Sequence, residues 1–104
     1  MAVKVGTEDF EEKVLGSGLH LTDFYSDSCV PCKRMSPVLA ELEEEYKENL
    51  VVAKVNVAYA SELTDRYEVL SAPTFVFFKD GEEIGRYIGV QSKEELKTFI
   101  ENHL

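Results

Sequence analysis

Two cysteines lie where the hydrophobic pattern of the chain changes from that of a strand to that of a helix. They are the chain's only cysteines, and they occur in the stretch Ser28-Cys29-Val30-Pro31-Cys32-Lys33. Residues 19–25 are apolar enough for a strand, and after Pro31 apolar residues recur at helical spacing. Two thiols separated by two residues at such a junction can close a small disulfide and reopen it. This pair constrains both the fold and the chemistry.

The rest of the chain alternates between strand-like and helical segments. Apolar or β-branched runs predict strands at residues 2–5, 19–25, 50–57, 74–78 and 84–88. Capping residues and helical spacing predict helices that begin at Thr7, Pro31, Ser61 and Ser92, and Asp80-Gly81 predicts a hairpin turn. Helices between strands imply parallel pairing, whereas the hairpin makes the last two strands antiparallel. We therefore expect an α/β fold in the order β-α-β-α-β-α-β-β-α, whose central mixed sheet of about five strands is flanked by helices on both faces.

The helix predicted after Pro31 carries a run of glutamates on the side opposite its apolar residues. The run consists of Glu41, Glu43, Glu44, Glu45 and Glu48. Such a run is more often a solvated helix face than a cation site, so we expect these side chains to face solvent.

Composition and charge bound the class of protein. The chain has 104 residues, which argues for a single domain over residues 1–104. A net charge of −9 disfavours nucleic acid and anionic membrane surfaces as partners, because both would be repelled. No apolar run approaches the ~20 residues of a membrane span, and the N-terminus has no signal-peptide pattern. We therefore expect a cytoplasmic monomer that binds neither nucleic acid nor membrane.

The cysteine pair has three possible uses, and the residues favour a redox use over the other two. A structural disulfide between Cys29 and Cys32 would restrain the unfolded chain little, because the ring it closes is so short. Zinc normally takes four ligands, and His20 and His103 are poorly placed to complete the set. We expect no metal and no cofactor.

The chain resembles the thioredoxin family over nearly its whole length. The motifs that carry the resemblance are Asp23-Phe24-Tyr25, Cys29-Val30-Pro31-Cys32-Lys33, Pro37, Lys54-Val55-Asn56-Val57, Ala72-Pro73-Thr74, Phe78-Lys79-Asp80-Gly81 and Gly89. The resemblance implies a mixed sheet with flanking helices. It also implies reduction of disulfides in client proteins, with electrons resupplied by a reductase of the thioredoxin-reductase type.

The two cysteines have different expected roles. Cys29 precedes the start of a helix, where free backbone N–H groups and the helix dipole favour a thiolate. We expect Cys29 to attack the client disulfide and Cys32 to resolve the mixed disulfide. Lys33 and Arg34 add positive charge nearby, while Asp27 opposes ionisation.

Asp23 and Lys54 are expected to support this chemistry. Asp23 lies at the end of an apolar strand, where burial raises the pKa of a carboxyl and suits it to accept the proton of Cys32. The resemblance places the family's buried aspartate at this position and makes Lys54 its neighbour on the adjacent strand. Two alternatives stay open, namely a partly exposed aspartate at a strand end and a solvent-facing lysine on an edge strand.

The resemblance also implies a docking surface for clients. It implies a cis peptide bond before Pro73, beside the cysteines, where the backbone of Ala72 can pair with an extended client segment. The residues expected to form this surface are Val30, Pro31, Ala72, Pro73, Thr74, Gly89 and Val90.

Four positions depart from the family pattern. Val30 stands where the family commonly has Gly, Ser28 and Tyr25 where it has Trp, and Ala58 where Asp is frequent. Two other interpretations of the protein's function are therefore kept. One is a specialised isomerase or a reductant dedicated to one partner, and the other is a non-catalytic binding module of the same fold. A binding module has no need to retain the cysteines, the aspartate and the proline together, which argues against it.

Overall fold

Five strands and four α-helices alternate along residues 2–104, which are the residues that the computed structural model describes. The strands are β1 (Val3–Lys4), β2 (Leu19–Tyr25), β3 (Leu50–Asn56), β4 (Thr74–Lys79) and β5 (Glu82–Ile88). The helices are α1 (Phe10–Val14), α2 (Val30–Glu45), α3 (Ser61–Arg66) and α4 (Lys93–Glu101), with a short 3-10 helix at Val57–Tyr59. This is the predicted order of elements, with the 3-10 helix added.

The strands form one mixed sheet in the order β1-β3-β2-β4-β5. Strands β1, β3 and β2 run parallel, whereas β4 is antiparallel to both β2 and β5. The turn between β4 and β5 has positive φ at both Asp80 (51°) and Gly81 (87°), which is the backbone geometry that tight hairpins favour. The predicted mixed sheet is confirmed, and β2, which leads to the cysteines, is its central strand.

Helices cover both faces of the sheet, as predicted. On one face α2 and α4 bury Met35, Leu39, Leu42, Leu96 and Ile100 against strand residues that include Leu21 and Phe77. On the other face α1 and α3 bury Phe10, Val14 and Leu63 against strand residues that include Phe24 and Phe78. Because both faces of β2 are buried, the polar residues His20, Thr22 and Asp23 are buried along with its apolar ones, and the strand shows no clean alternation.

Several predicted element ends were wrong, and local hydrogen bonds explain two of them. The first helix begins at Phe10 rather than at Thr7, because the Asp9 Oδ1 accepts a hydrogen bond from the Gly6 N–H (2.8 Å) and residues 7–9 form a turn. Strand β3 ends at Asn56, whose Oδ1 accepts a hydrogen bond from the Ala58 N–H (3.0 Å) and so starts the 3-10 helix.

The glutamate run on α2 is not purely a solvated face. The Lys93 Nζ on α4 lies 3.0 Å from a carboxylate oxygen of Glu41 and 2.9 Å from one of Glu45. Lys97 adds a longer contact of 3.6 Å to Glu45. These ion pairs join the two helices that cover one face of the sheet. Within residues 2–104, no helix is long and apolar enough to cross a membrane.

Candidate active site around Cys29 and Cys32

Cys29 and Cys32 are joined by a disulfide at the start of α2. Cys29 is the N-cap of this helix, and the Cα atoms of the two cysteines lie 5.2 Å apart. The backbone N–H of Cys32 points at the Cys29 Sγ, with a distance of 3.0 Å from N to S. Cys29 is partly exposed, whereas Cys32 is only 5% exposed. A partner can therefore reach the first sulfur, while the protein covers the second.

The segment that precedes β4 lies against the first cysteine. The Cys29 Sγ lies 3.5 Å from the carbonyl oxygen of Ala72, and the Ala72–Pro73 peptide bond is cis, as the resemblance implied. Two hydrogen bonds fix this segment. The Thr74 hydroxyl donates to the Ser71 carbonyl (2.8 Å), and the Gly89 N–H donates to the Pro73 carbonyl (2.9 Å). Sequence positions more than 40 residues apart therefore meet at the disulfide.

The residues predicted to form the docking surface differ in exposure. Val30 is 62% exposed and Val90 is 52% exposed, and Pro31 is exposed as well. Ala72 and Gly89 are partly exposed. Pro73 and Thr74 are buried, so that their side chains face the protein rather than the solvent.

Two strongly exposed apolar side chains were not predicted. Ile88, next to Gly89, is 62% exposed, and Leu70, two residues before Ala72, is 95% exposed. The exposure of Ile88 could have been predicted, because Ile88 lies at the end of a hairpin strand beside Gly89, a predicted surface residue. Leu70 carries no such signal, because it lies in the connection between α3 and β4, where no periodic pattern assigns a side chain to one face.

Asp23 is a buried carboxyl in the middle of the sheet. It is 1% exposed, and its register partners are Lys54 on β3 and Phe75 on β4. Among residues 2–104 its Oδ1 has no hydrogen-bond partner. Burial raises the pKa of Asp23 to about 6, an effect that the positive charge of Lys54 partly opposes. The alternative of a partly exposed aspartate was wrong.

Lys54 lies on an interior strand, because β1 covers the outer edge of β3. The alternative of an edge lysine was therefore wrong. Its side chain is partly buried, and its Nζ lies 5.0 Å from the centre of the Tyr25 ring. Lys54 and Cys32 line the same open pocket of about 160 Å³, together with Tyr25, Ser26, Asp27, Lys33 and Ser36. The pocket gives solvent a route to the covered side of the disulfide.

The two histidines lie away from this site. The His20 Nδ1 is 3.3 Å from the Gly18 carbonyl, and the His103 Nδ1 is 2.7 Å from the Phe99 carbonyl. Within the described part of the chain, no group of three or more His, Cys, Asp or Glu side chains is arranged to hold a metal ion.

Comparisons with known proteins agree with this geometry. The sequence profile of the thioredoxin family matches residues 1–102. Thioredoxins from Staphylococcus aureus strains Mu50, MW2 and N315 are each 40% identical to the chain over 102 residues, which is 98% of this chain and 97% of theirs. Members of this family act on disulfide-containing substrates and receive electrons from reductases. The match spans the whole fold and includes the disulfide at the start of α2, and the chain therefore belongs to the thioredoxin family and is a thiol–disulfide oxidoreductase that reduces protein disulfides.

Proposed function

We propose that Cys29 is the nucleophile and Cys32 the resolving cysteine of the reduction cycle. The observation that carries this assignment is the difference in exposure between the two cysteines, since Cys29 is partly exposed and Cys32 is 5% exposed. A client disulfide reaches the Cys29 sulfur without any rearrangement of α2, whereas the covered Cys32 sulfur attacks only the neighbouring Cys29 sulfur, once that sulfur is bonded to the client.

The surroundings of Cys29 favour its thiolate. Cys29 is the N-cap of α2, and its Sγ accepts a hydrogen bond from the Cys32 N–H (3.0 Å). The positive end of the helix dipole lies beside the same sulfur. The first turn of α2 contains no acidic residue, and Lys33 and Arg34 follow it. These groups lower the free energy of the anion relative to the thiol.

The cycle consists of two exchange steps. In the first, the Cys29 thiolate attacks one sulfur of the client disulfide, a Cys29–client disulfide forms, and the other client sulfur leaves as a thiolate. In the second, the Cys32 thiolate attacks the Cys29 sulfur, the Cys29–Cys32 disulfide forms, and the second client sulfur leaves. Two electrons pass from the dithiol to the client. A reductase of the thioredoxin-reductase type then restores the dithiol.

Asp23 is the proposed proton acceptor for Cys32 in the second step. A carboxyl with a pKa of about 6 exchanges protons readily near neutral pH, which suits it to general base catalysis. Lys54, its neighbour in register, favours the ionised carboxylate that must accept the proton. The pocket lined by Lys54 and Cys32 brings solvent to the Cys32 side of the disulfide.

The proposed docking edge is the backbone of Ala72. An extended client segment pairs with this backbone, as in the addition of a strand to a sheet. Val30 and Pro31 border the edge on one side of the disulfide, and Gly89 and Val90 border it on the other. The buried Pro73 and Thr74 act by holding Ala72 in place, in keeping with the hydrogen bond from Thr74 to Ser71.

We place the protein in the cytoplasm as a monomer. A dithiol reductant needs a reducing compartment to remain reduced. Every group of the proposed site comes from a single chain, so that no second copy is required. Its clients are proteins with accessible disulfides.

The assignment of roles is tested by reduction of insulin with dithiothreitol as electron donor. Cys29→Ser and Cys32→Ser are both expected to reduce insulin at the uncatalysed rate, because each step needs one of the sulfurs. When the pre-reduced variants are mixed with insulin in the absence of dithiothreitol, only Cys32→Ser should accumulate a mixed disulfide with insulin, which is visible on a non-reducing gel. Wild-type turnover by Cys29→Ser, or a mixed disulfide formed by that variant, would contradict the assignment.

A further inference from the structure

Arg86 on β5 makes three hydrogen bonds at the side of the molecule that carries the docking edge. Its Nη2 donates to the carbonyl of Tyr67 (2.8 Å), the C-cap residue that follows α3. Its Nε and Nη2 also donate to the two carboxylate oxygens of Glu83, at 2.8 and 2.9 Å. The guanidinium is thus held in one orientation by a bidentate carboxylate and directed at a helix-terminal carbonyl.

Tyr67, whose carbonyl accepts the hydrogen bond from Arg86, is the first residue of the segment that leads to Ala72 at the docking edge. After Tyr67 the chain turns at Glu68, which has a φ of +53°, and reaches Ala72 within five residues. Val69 is buried, and its N–H donates to the Thr64 carbonyl (2.8 Å). Arg86 therefore fixes the first residue of this connection, while Thr74 fixes its far end through Ser71.

Arg86 is also tied to the other border of the docking edge. It lies on β5 opposite Val76, and two residues further along that strand Ile88 pairs with Thr74. The next residue, Gly89, donates its N–H to the Pro73 carbonyl. One guanidinium thus connects the strand that ends at Gly89 with the connection that ends at Ala72.

Arg86 is partly buried, which makes its bonds more effective than those of a fully exposed arginine. The side chains of Arg86 and Glu83 are 27% and 32% exposed, which makes this pair less exposed than the ion pair of Arg66 with Glu11, where the values are 48% and 75%. A carbonyl at a helix end has no partner within its own helix. Loss of the guanidinium would leave the Tyr67 carbonyl to water and loosen the start of the connection.

We propose that Arg86, oriented by Glu83, is a positioning residue for client docking. It holds residues 68–73, and with them the backbone of Ala72, in the client-binding conformation before a client arrives. This inference rests on the docking role proposed for Ala72. Preorganisation removes an ordering cost from binding, and it leaves the reactivity of the two sulfurs unchanged. The effect of Arg86 therefore falls on the KM for protein clients and not on kcat.

The test compares Arg86→Gln with Arg66→Gln, using insulin and a small symmetric disulfide reagent as substrates. Arg66 is the matched control, because it forms an exposed ion pair one residue before Tyr67 and makes no bond to that carbonyl. Arg86→Gln is expected to raise the KM for insulin by roughly three- to tenfold, the effect of one newly disordered group, with kcat unchanged. The rate with the small disulfide, which has no chain to dock, should not change. The KM of Arg86→Lys for insulin should lie between the KM values of the wild type and of Arg86→Gln. The lysine ammonium keeps the positive charge but cannot reproduce the parallel hydrogen bonds of the guanidinium to both carboxylate oxygens.

An unchanged KM for Arg86→Gln, or an equal rise for Arg66→Gln, would overturn the positioning role. A slower reaction of Arg86→Gln with the small disulfide would overturn it too, because Arg86 would then act on the sulfurs. If Arg86→Gln does not fold, Glu83→Gln serves in its place, since it keeps the arginine and removes only its orienting partner. A rise in its KM supports the proposal, and no rise contradicts it. Failure of the dithiol assignment would be seen separately, as activity of Cys29→Ser towards both substrates.

Discussion

Asp23 shows how much a single buried residue depends on its neighbours. Its place at the end of an apolar strand predicted burial and a raised pKa, and both are present, with a pKa of about 6. The sequence did not indicate that one carboxylate oxygen would lie among residues 2–104 without a hydrogen-bond partner. That depends on β4, which brings the ring of Phe75 rather than a donor to the opposite position.

The stability of the folded protein should depend on pH through Asp23. Because the pKa rises from 3.8 to about 6 on folding, the contribution of this group is full below pH 3.8 and is lost as the pH rises through 6. Such a displacement corresponds to about 3 kcal/mol. We expect Asp23→Asn to gain roughly 2–3 kcal/mol in free energy of unfolding relative to the wild type between pH 4 and pH 8.

Denaturant unfolding of the oxidised proteins at a series of pH values measures this difference. Asp27→Asn is the control for loss of a carboxyl group as such, because Asp27 is exposed. A difference between wild type and Asp23→Asn that stays constant from pH 4 to pH 8 would show that Asp23 is not protonated preferentially in the folded state.

At the scale of elements, β5 and α4 meet at a point that has no room for a side chain. A Cβ placed on Gly85 would lie 2.7 Å from two atoms of the Phe99 ring. That ring cannot easily move, since it stacks between Phe77 and His103 at centroid distances of 4.3 and 4.1 Å. The glycine is therefore needed for the close approach of helix and strand rather than for its backbone freedom.

Gly85→Ala should destabilise the protein by roughly 1–3 kcal/mol, the usual cost of overpacking a filled interior. Gly16→Ala is a suitable control, because a Cβ there would have its nearest neighbour at 3.9 Å, an ordinary contact. Thermal unfolding of the two variants and the wild type measures the effect. Equal midpoints for Gly85→Ala and Gly16→Ala would mean that Phe99 moves aside without cost.

The ends of elements were harder to predict than their existence. The capping serine of α4 was identified correctly, and the Ser92 Oγ accepts a hydrogen bond from the Glu95 N–H (3.1 Å). Thr7 has the same residue preference but does not cap α1, because Asp9 binds back to Gly6 and takes up the turn. Thr7 and Asp9 are both good capping residues and lie close together, so the geometry of their side chains decides where α1 begins.

At the scale of the whole molecule, we expect the net charge to favour basic clients over acidic ones. The net charge of −9 produces a negative field that extends about 30 Å at 0.01 M ionic strength and about 10 Å at 0.1 M. Near the cysteines, Lys33, Arg34 and Lys54 oppose it only locally. At low ionic strength the net charge of the whole protein therefore attracts or repels a client before the client contacts the residues around the cysteines.

Two disulfide peptides of equal length, one with Lys and one with Glu flanking the cysteines, test this effect. We expect kcat/KM for the basic peptide to be about tenfold higher at 10 mM salt, since steering of this kind changes association rates by at least that factor. The ratio should fall towards one at 500 mM salt. A ratio that does not change with salt would mean that local contacts, and not the net charge, set the preference.

The sequence by itself determined the order of the elements, the helices on both faces and the position of the dithiol. Those features depend on local patterns, namely the period of apolar residues, the turn at Asp80-Gly81 and the change of period at Pro31. The place of Cys29 before a helix also predicted it as the attacking cysteine, and that assignment stays a prediction. Each of these patterns lies within a few residues of sequence. It is therefore the same in any packing that buries the apolar faces.

Only the tertiary structure showed the contacts between distant groups, some of which the family resemblance had implied but no local pattern of residues had. The Ala72 carbonyl lies against the Cys29 sulfur, Asp23 faces Lys54, and Arg86 reaches the Tyr67 carbonyl. Each contact depends on the order and register of the strands, because a shift of one residue turns every side chain of a strand to the other face. Order and register are fixed by the packing of both cores at once, which no local stretch of sequence contains.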